Sequence, residues 1–279
     1  MIRCIHSGND YGDGEDHGSG PAPWHAGRDR RPKRRSRVFR RVKRLRLWLN
    51  RVLAAHSEVG DPAVFDNDVF PWIGNLERHW PAIRAEVEAL VRSGEEVPAF
   101  HDVSPDQYKI SKGEQWRSFF LWGFGYTVPA NCARCPQTTW ALDCVPGLTT
   151  AFFSILAPGT HIPRHQVVSK RLINCHLALI VPRQARPGTE GCRIAVDDKI
   201  FRWEEGKCLV FDDTYPHEVW NDTAETRVVL FLQFKRPLRQ PGRVLGDLFL
   251  AAVRYSPYVQ EARRNITAWE AAQQRIERN

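Results

Sequence analysis

Four histidines, His161, His165, His176 and His217, fall within a stretch of short strand-like runs, and the other six lie outside it. Imidazole is the commonest protein ligand for transition metals, but a single histidine is more often structural. The surroundings of His217 sharpen the reading. His217-Glu218-Val219-Trp220 is followed by the turn residues Asn221-Asp222-Thr223 and then by Arg227-Val228-Val229, a pattern that predicts a β-hairpin centred near Asp222. In that hairpin His217 and Arg227 fall opposite each other, about 5 Å apart at Cβ. A metal-binding imidazole beside a guanidinium is costly in a dry interior unless a dianion lies between them. One end of such a ligand would chelate the metal, and a carboxylate at the other would take a bidentate guanidinium bond.

Short strands must position these residues. Runs of strand character cover residues 151–156, 173–181, 192–196, 199–203, 207–211, 217–220 and 227–234. Turn signals separate them, among them Pro158-Gly159, Pro187-Gly188, Asp197-Asp198 and Glu205-Gly206. So many short strands in so few residues predict a mainly β fold with flanking helices, a sandwich or jelly roll rather than a parallel α/β sheet. A helix is expected within residues 71–94, with Pro81 in its first turn, Ile83, Val87, Leu90 and Val91 on one face, and Gly94 as its stop. After Pro241 the helical period returns through Val244, Leu245, Leu248, Phe249, Ala252 and Val253, and a last helix runs from Pro257 towards Trp269. The chain therefore divides into a basic disordered segment at 1–37, a basic amphipathic helix at 38–56, a jelly-roll domain at 65–240 and C-terminal helices at 241–279.

Several blocks together resemble a known family. Ser154-Ile155-Leu156-Ala157-Pro158-Gly159-Thr160-His161, His165 and Cys175-His176-Leu177-Ala178-Leu179-Ile180-Val181-Pro182 form its first half. Trp203-Glu204-Glu205-Gly206-Lys207, Phe211-Asp212-Asp213, His217 to Asp222 and Arg227 form its second. In order and spacing these are similar to the aspartyl/asparaginyl β-hydroxylases, which are Fe(II)- and 2-oxoglutarate-dependent dioxygenases. The likeness spans about residues 70–238. A bacterial branch containing lipid A acyl-chain hydroxylases is also similar, sharing the region around Phe70 to Leu90 and the block from Trp116 to Gly123.

The resemblance implies a double-stranded β-helix, with His165 and His217 as iron ligands and Arg227 binding the distal carboxylate of 2-oxoglutarate. It places Trp116, Ser154 and His176 along the cosubstrate site, and it implies Fe(II), 2-oxoglutarate and O2 as the reacting set. Substrate readings are an Asp or Asn side chain of a protein or peptide first, and a lipid acyl chain second; a non-catalytic jelly roll that binds a ligand is the rival class. Two positions depart from the family pattern. The carboxylate that usually lies two residues after the first ligand histidine is Val167 here, which cannot ligate. The animal enzymes have glycine there, so a two-histidine centre completed by water and one with that position closed by valine both stay open. Asn174 stands where the animal enzymes carry a second cosubstrate arginine, which leaves Arg227 as the charged anchor.

Other candidates have plainer readings. Asp212 and Asp213 are read as turn residues or as partners that orient a ligand. His161 falls four residues before His165, on the same strand face if the strand is regular. Cys132-Ala133-Arg134-Cys135-Pro136 has the spacing of a metal or redox pair, but with Cys144 the one cysteine nearby, packed thiols are expected. Seven cysteines without a secretory leader suggest a reducing, cytoplasmic setting.

The charge is local. Lys and Arg number 40 against 32 Asp and Glu, a formal +8, yet residues 28–46 hold twelve of those bases and one acid, Asp29. The rest of the chain has 28 bases against 31 acids. A nucleic-acid surface spread over the whole protein is thereby excluded, and no base-reading motif accompanies the basic segment. The helix at 38–53, with Val38, Val42, Leu45, Leu49, Val52 and Leu53 among its bases, is read as a solvated arm, as a peripheral contact with anionic lipid on the inner face of a membrane, or as a contact with nucleic acid without sequence specificity. No run reaches the ~18 apolar residues of a spanning helix.

Overall fold

The computed structural model describes residues 37–93, 97–104, 108, 110, 111 and 113–276. The segment read as disordered lies outside these residues but for Arg37, and so does Gly94. The helices are α1 (Arg37–Ala55), α2 (Ile73–Arg92), α3 (Phe100–Val103), α4 (Pro129–Arg134), α5 (Pro136–Asp143), α6 (Gly242–Arg254) and α7 (Pro257–Ile276). The strands are β1 (Val64–Phe65), β2 (Trp116–Gly123), β3 (Tyr126–Thr127), β4 (Leu148–Leu156), β5 (His161–His165), β6 (Leu172–Ile180), β7 (Cys192–Val196), β8 (Lys199–Phe201), β9 (Cys208–Phe211), β10 (His217–Asn221) and β11 (Arg227–Lys235).

Two antiparallel sheets build a jelly roll. The larger runs β1-β9-β6-β11-β4-β2-β3 and the smaller β5-β10-β7-β8. Strand period two sorts the larger sheet's side chains. Ile173, Cys175, Leu177 and Leu179 of β6, with Val228, Leu230, Leu232 and Phe234 of β11, pack outward on Ile73, Leu76, Ile83 and Val87 of α2. Leu156, Ala178 and Val229 point inward and meet Ile162, Ile194, Val196 and Val219 of the smaller sheet. Both faces of the larger sheet are covered, so its strands read as continuous apolar runs. Each such Leu, Ile or Phe contributes about 1.5–3 kcal/mol by leaving water.

The hairpin expectation is overturned. His217 and Arg227 begin neighbouring strands that belong to different sheets: β10 pairs with β5 and β7, whereas β11 pairs with β4 and β6. The connection crosses between layers, held by Asn221, whose amide donates to the carbonyls of Leu156, Ala157 and Glu225. Pro81 lies in the interior of α2 rather than its first turn, and Val91 is exposed rather than on the packed face. Glu86 of α2 accepts from the backbone N–H of Gln137 and Thr138, which serves the first donors of α5. The predicted turn at Glu205-Gly206 requires glycine: φ is +80°, and a Cβ would stand 2.7 Å from the Trp80 indole.

One end of the roll is tied to α6 by charge and close packing. Arg236 and Lys170 both bond the buried Asp212 carboxylate, and Arg171 reaches Asp247 of α6 at 2.8 Å. Gly242 and Gly246, four apart on α6, let it approach: an added Cβ would lie 2.6 Å from His56 Cβ at the first and strike Arg171 Cδ at the second.

Candidate active site

His165 ends β5 and His217 begins β10, and the two are direct partners in the ladder of the smaller sheet. Their rings lie 4.1 Å apart between centroids, and both residues are buried. His165 Nδ1 donates to Pro163 O at 2.8 Å and His217 Nδ1 to Tyr215 O at 3.0 Å. A carbonyl can only accept, so each Nδ1 carries a proton, and in the neutral ring Nε2 then carries the lone pair. That is the tautomer a metal needs, fixed by the carbonyl behind each ring. Burial, with His165 close by, holds His217 well below the usual histidine range and keeps the ring neutral. Two imidazoles side by side fit a divalent metal, and no third carboxylate or thiol joins them among the described residues. Val167 stands at the cavity edge where a carboxylate would be, its N–H donating to Asp213 O at 2.8 Å.

The larger sheet supplies the opposite wall, and the residues predicted for a cosubstrate share its inner face. Arg227 pairs with Leu156, and Ser154 pairs with both Ser118 and Val229. Trp116 Nε1 donates to Ser154 Oγ at 3.0 Å, which leaves the serine proton available to a ligand. Arg227 is 1% exposed, and its Nε and Nη1 have no hydrogen-bond partner among the described residues. Its guanidinium carbon lies 4.7 Å from the Trp203 ring, and burial pushes its pKa down to about 10. A buried guanidinium that keeps unused donors is the complement of a carboxylate.

His176 lies nearby, stacked 6.0 Å from Trp203 and edge-on to Phe211, with neither ring nitrogen bonded among the described residues. Burial first, and the Arg227 charge second, push its pKa down to about 3. His176 also helps depress His217, so the positions from the two sheets meet in one electrostatic neighbourhood.

A cavity of about 570 Å3 opens from the histidine pair. It is lined by Trp116, His165 and His217 but not by Arg227, His176 or Ser154, which lie further along the sheet face. Its floor is an aromatic ladder: Phe120, Phe152 and Phe231 are register partners on β2, β4 and β11, with centroids 4.7 and 4.5 Å apart. α6 and α7 form the outer wall.

Asp213 also lines this cavity, and neither turn geometry nor ligand orientation describes it fully. Asp212 takes the turn role, accepting from the Thr214 N–H and hydroxyl. Asp213 Oδ2 accepts from Gln233, whose amide also donates to Asn174, while Asp213 Oδ1 has no partner among the described residues. Burial first, then the nearby Asp212, pushes its pKa up to about 8. Its signal in the sequence is its place four residues before His217.

His161 stays outside the site. It is exposed, with Nε2 2.6 Å from Glu218 Oε1 and its ring stacked on Trp220. Cys132 and Cys135 are thiols and not disulfide partners; Cys132 donates to Leu121 O.

The model of the aspartyl/asparaginyl beta-hydroxylase family matches residues 77–237. The chain belongs to that family. Among curated relatives of this hydroxylase, the ornithine lipid ester-linked acyl 2-hydroxylase of Rhizobium tropici is 39% identical over 240 residues, 86% of this chain and 83% of the relative. The aspartyl/asparaginyl beta-hydroxylase of Homo sapiens is 30% identical over 174 residues, 61% of this chain but 22% of the human protein. Among solved structures, a Pseudomonas putida prolyl-4-hydroxylase overlays with a TM-score of 0.35 at 21% identity, covering 57% of this chain and 88% of that one.

Proposed function

We propose that this hydroxylase uses Fe(II) and 2-oxoglutarate to hydroxylate an acyl chain of a membrane lipid. The observation that carries the substrate class is the aromatic ladder of Phe120, Phe152 and Phe231 beneath the histidine pair. A carboxylate or amide side chain would gain little on that floor, whereas an acyl chain gains ~0.8 kcal/mol for each methylene removed from water. The bacterial relative named for acyl 2-hydroxylation supports the same choice. The human relative keeps an Asp or Asn side chain as the second reading.

Each residue then has a task. His165 and His217 would hold the iron through Nε2, their Nδ1 protons kept by Pro163 and Tyr215. Arg227 would take the far carboxylate of oxoglutarate, with Ser154 donating its hydroxyl proton beside it. His176 stays neutral and adds no charge to that pocket. Iron with oxoglutarate and dioxygen supplies an oxidant able to hydroxylate an unactivated C–H bond, releasing succinate and carbon dioxide. The protein's part is to bind, orient and exclude water.

The test supplies Fe(II) and oxoglutarate anaerobically, adds oxygen, and measures succinate release with an ornithine lipid in detergent micelles or with an Asp-containing peptide. Lipid-stimulated succinate and one added oxygen on the acyl chain support the proposal. Stimulation by the peptide with none by the lipid would overturn it.

A further inference from the structure

α1 and α6 pack against each other, and both turn apolar residues outward. On α1, Leu45 is 64% exposed and Trp48 51%. On α6, Val244, Leu248, Ala251 and Ala252 are exposed on one stripe of a 3.6-residue helix, and Tyr255 just past its end is exposed as well. Apolar surface of this extent on neighbouring elements marks a contact with something else.

The charges say what. α1 carries seven Arg and Lys and no acid. Arg41, Lys43, Arg44 and Arg51 are exposed among Leu45 and Trp48, and α6 adds Arg243 beside Val244. Bases interleaved with Leu and Trp on a helix surface fit the boundary of an anionic bilayer, with the bases on the headgroups and the apolar residues below them. Position says why. Phe249, Leu250 and Val253 of α6 line the cavity, so one helix carries both the exposed stripe and a wall of the site.

We propose that the exposed faces of α1 and α6 form one docking surface for an anionic lipid bilayer, placing the cavity mouth where an acyl chain can enter from the membrane. The second half rests on the acyl-chain reading; the docking itself does not. No described helix is long and apolar enough to cross a membrane, so the contact proposed is with the surface.

The test is flotation of the full chain with vesicles of phosphatidylcholine alone or mixed with phosphatidylglycerol. Binding is expected to be at least tenfold tighter to the mixed vesicles and to weaken as salt rises. Two variants, Trp48→Glu with Leu248→Glu, and Gln at Arg41, Lys43, Arg44 and Arg51, should each lose at least tenfold of that binding, since each base near such a surface is worth roughly fivefold. Both should turn over ornithine lipid in detergent micelles like the unaltered protein, while losing turnover of the same lipid in vesicles. Equal binding by variants and unaltered protein, or no preference for the anionic vesicles, overturns the proposal. So does a dimer in solution that Leu248→Glu dissolves while vesicle binding persists, which would assign the face to a second copy of the chain. Docking without turnover in micelles would instead sink the acyl-chain reading and leave the docking surface standing.

Discussion

Burial shields the Arg227 guanidinium from solvent, and its Nε and Nη1 have no partner among the described residues, a cost that a bound carboxylate would repay. Arg227→Ala is expected to raise the oxoglutarate concentration for half-maximal succinate release at least tenfold, since a charge-assisted bond is worth roughly 1.5–3 kcal/mol. Arg227→Lys should fall between, keeping the charge but losing the fork; an unchanged requirement in both would remove the anchoring role. His176 predicts a pH dependence of stability. Its folded pKa, about 3, lies below the usual 6.5, so as the pH falls the unfolded chain takes up the proton first. Its contribution is therefore intact above pH 6.5 and lost progressively towards pH 3, about 2 kcal/mol of it by pH 5. Denaturant midpoints at pH 7 and pH 5 should show that loss in the native protein and a smaller one in His176→Leu; parallel losses would refute the assignment. His217 and Arg227 stood out because their types are uncommon in a dry core, although the hairpin that joined them was wrong, and His165 was singled out only by the family resemblance. Asp213 was less so, since an Asp-Asp pair before a strand also reads as a turn.

Elements were legible where a period repeats and obscure where partners lie far away in sequence. The residues between His217 and Arg227 look the same whether the flanking strands pair with each other or enter separate sheets; the choice belongs to β4, β5, β6 and β7. β5 escaped the strand reading because Pro163 and Arg164 interrupt its alternation. The period of α6 gave the helix but not which part of its apolar face stays open, because exposure is decided by what packs on it. Gly246 is where that packing is tightest, with Arg171 and Leu53 in the space a Cβ would take. Gly246→Val is expected to cost about 1–3 kcal/mol by overpacking, measured as a lowered denaturant midpoint. Because α6 is also a cavity wall, the same variant should weaken turnover of the lipid in micelles. A neutral effect on the midpoint would mean that α1 and α6 separate freely.

The whole molecule matters because the site is divided between its layers: the histidine pair belongs to the smaller sheet and Arg227 to the larger. Composition shows none of this division, and the +8 charge arises from a segment whose residues lie mostly ahead of the roll. On the proposed assignment, metal and cosubstrate stabilise the protein in sequence. Fe(II) added anaerobically at a hundredfold over its Kd should contribute about 2.7 kcal/mol, a rise in Tm of about 5–10 °C for a domain of this size. His217→Ala removes one of the two proposed ligands and should lose the whole shift, with metal content after desalting falling to background. Arg227→Ala keeps both ligands, so it should keep the metal shift and lose the further rise that oxoglutarate gives to the metal-loaded protein. A metal shift that survives in His217→Ala would move the metal elsewhere. An oxoglutarate shift that survives in Arg227→Ala would leave the two sheets without the bridge that the cosubstrate is proposed to make between them.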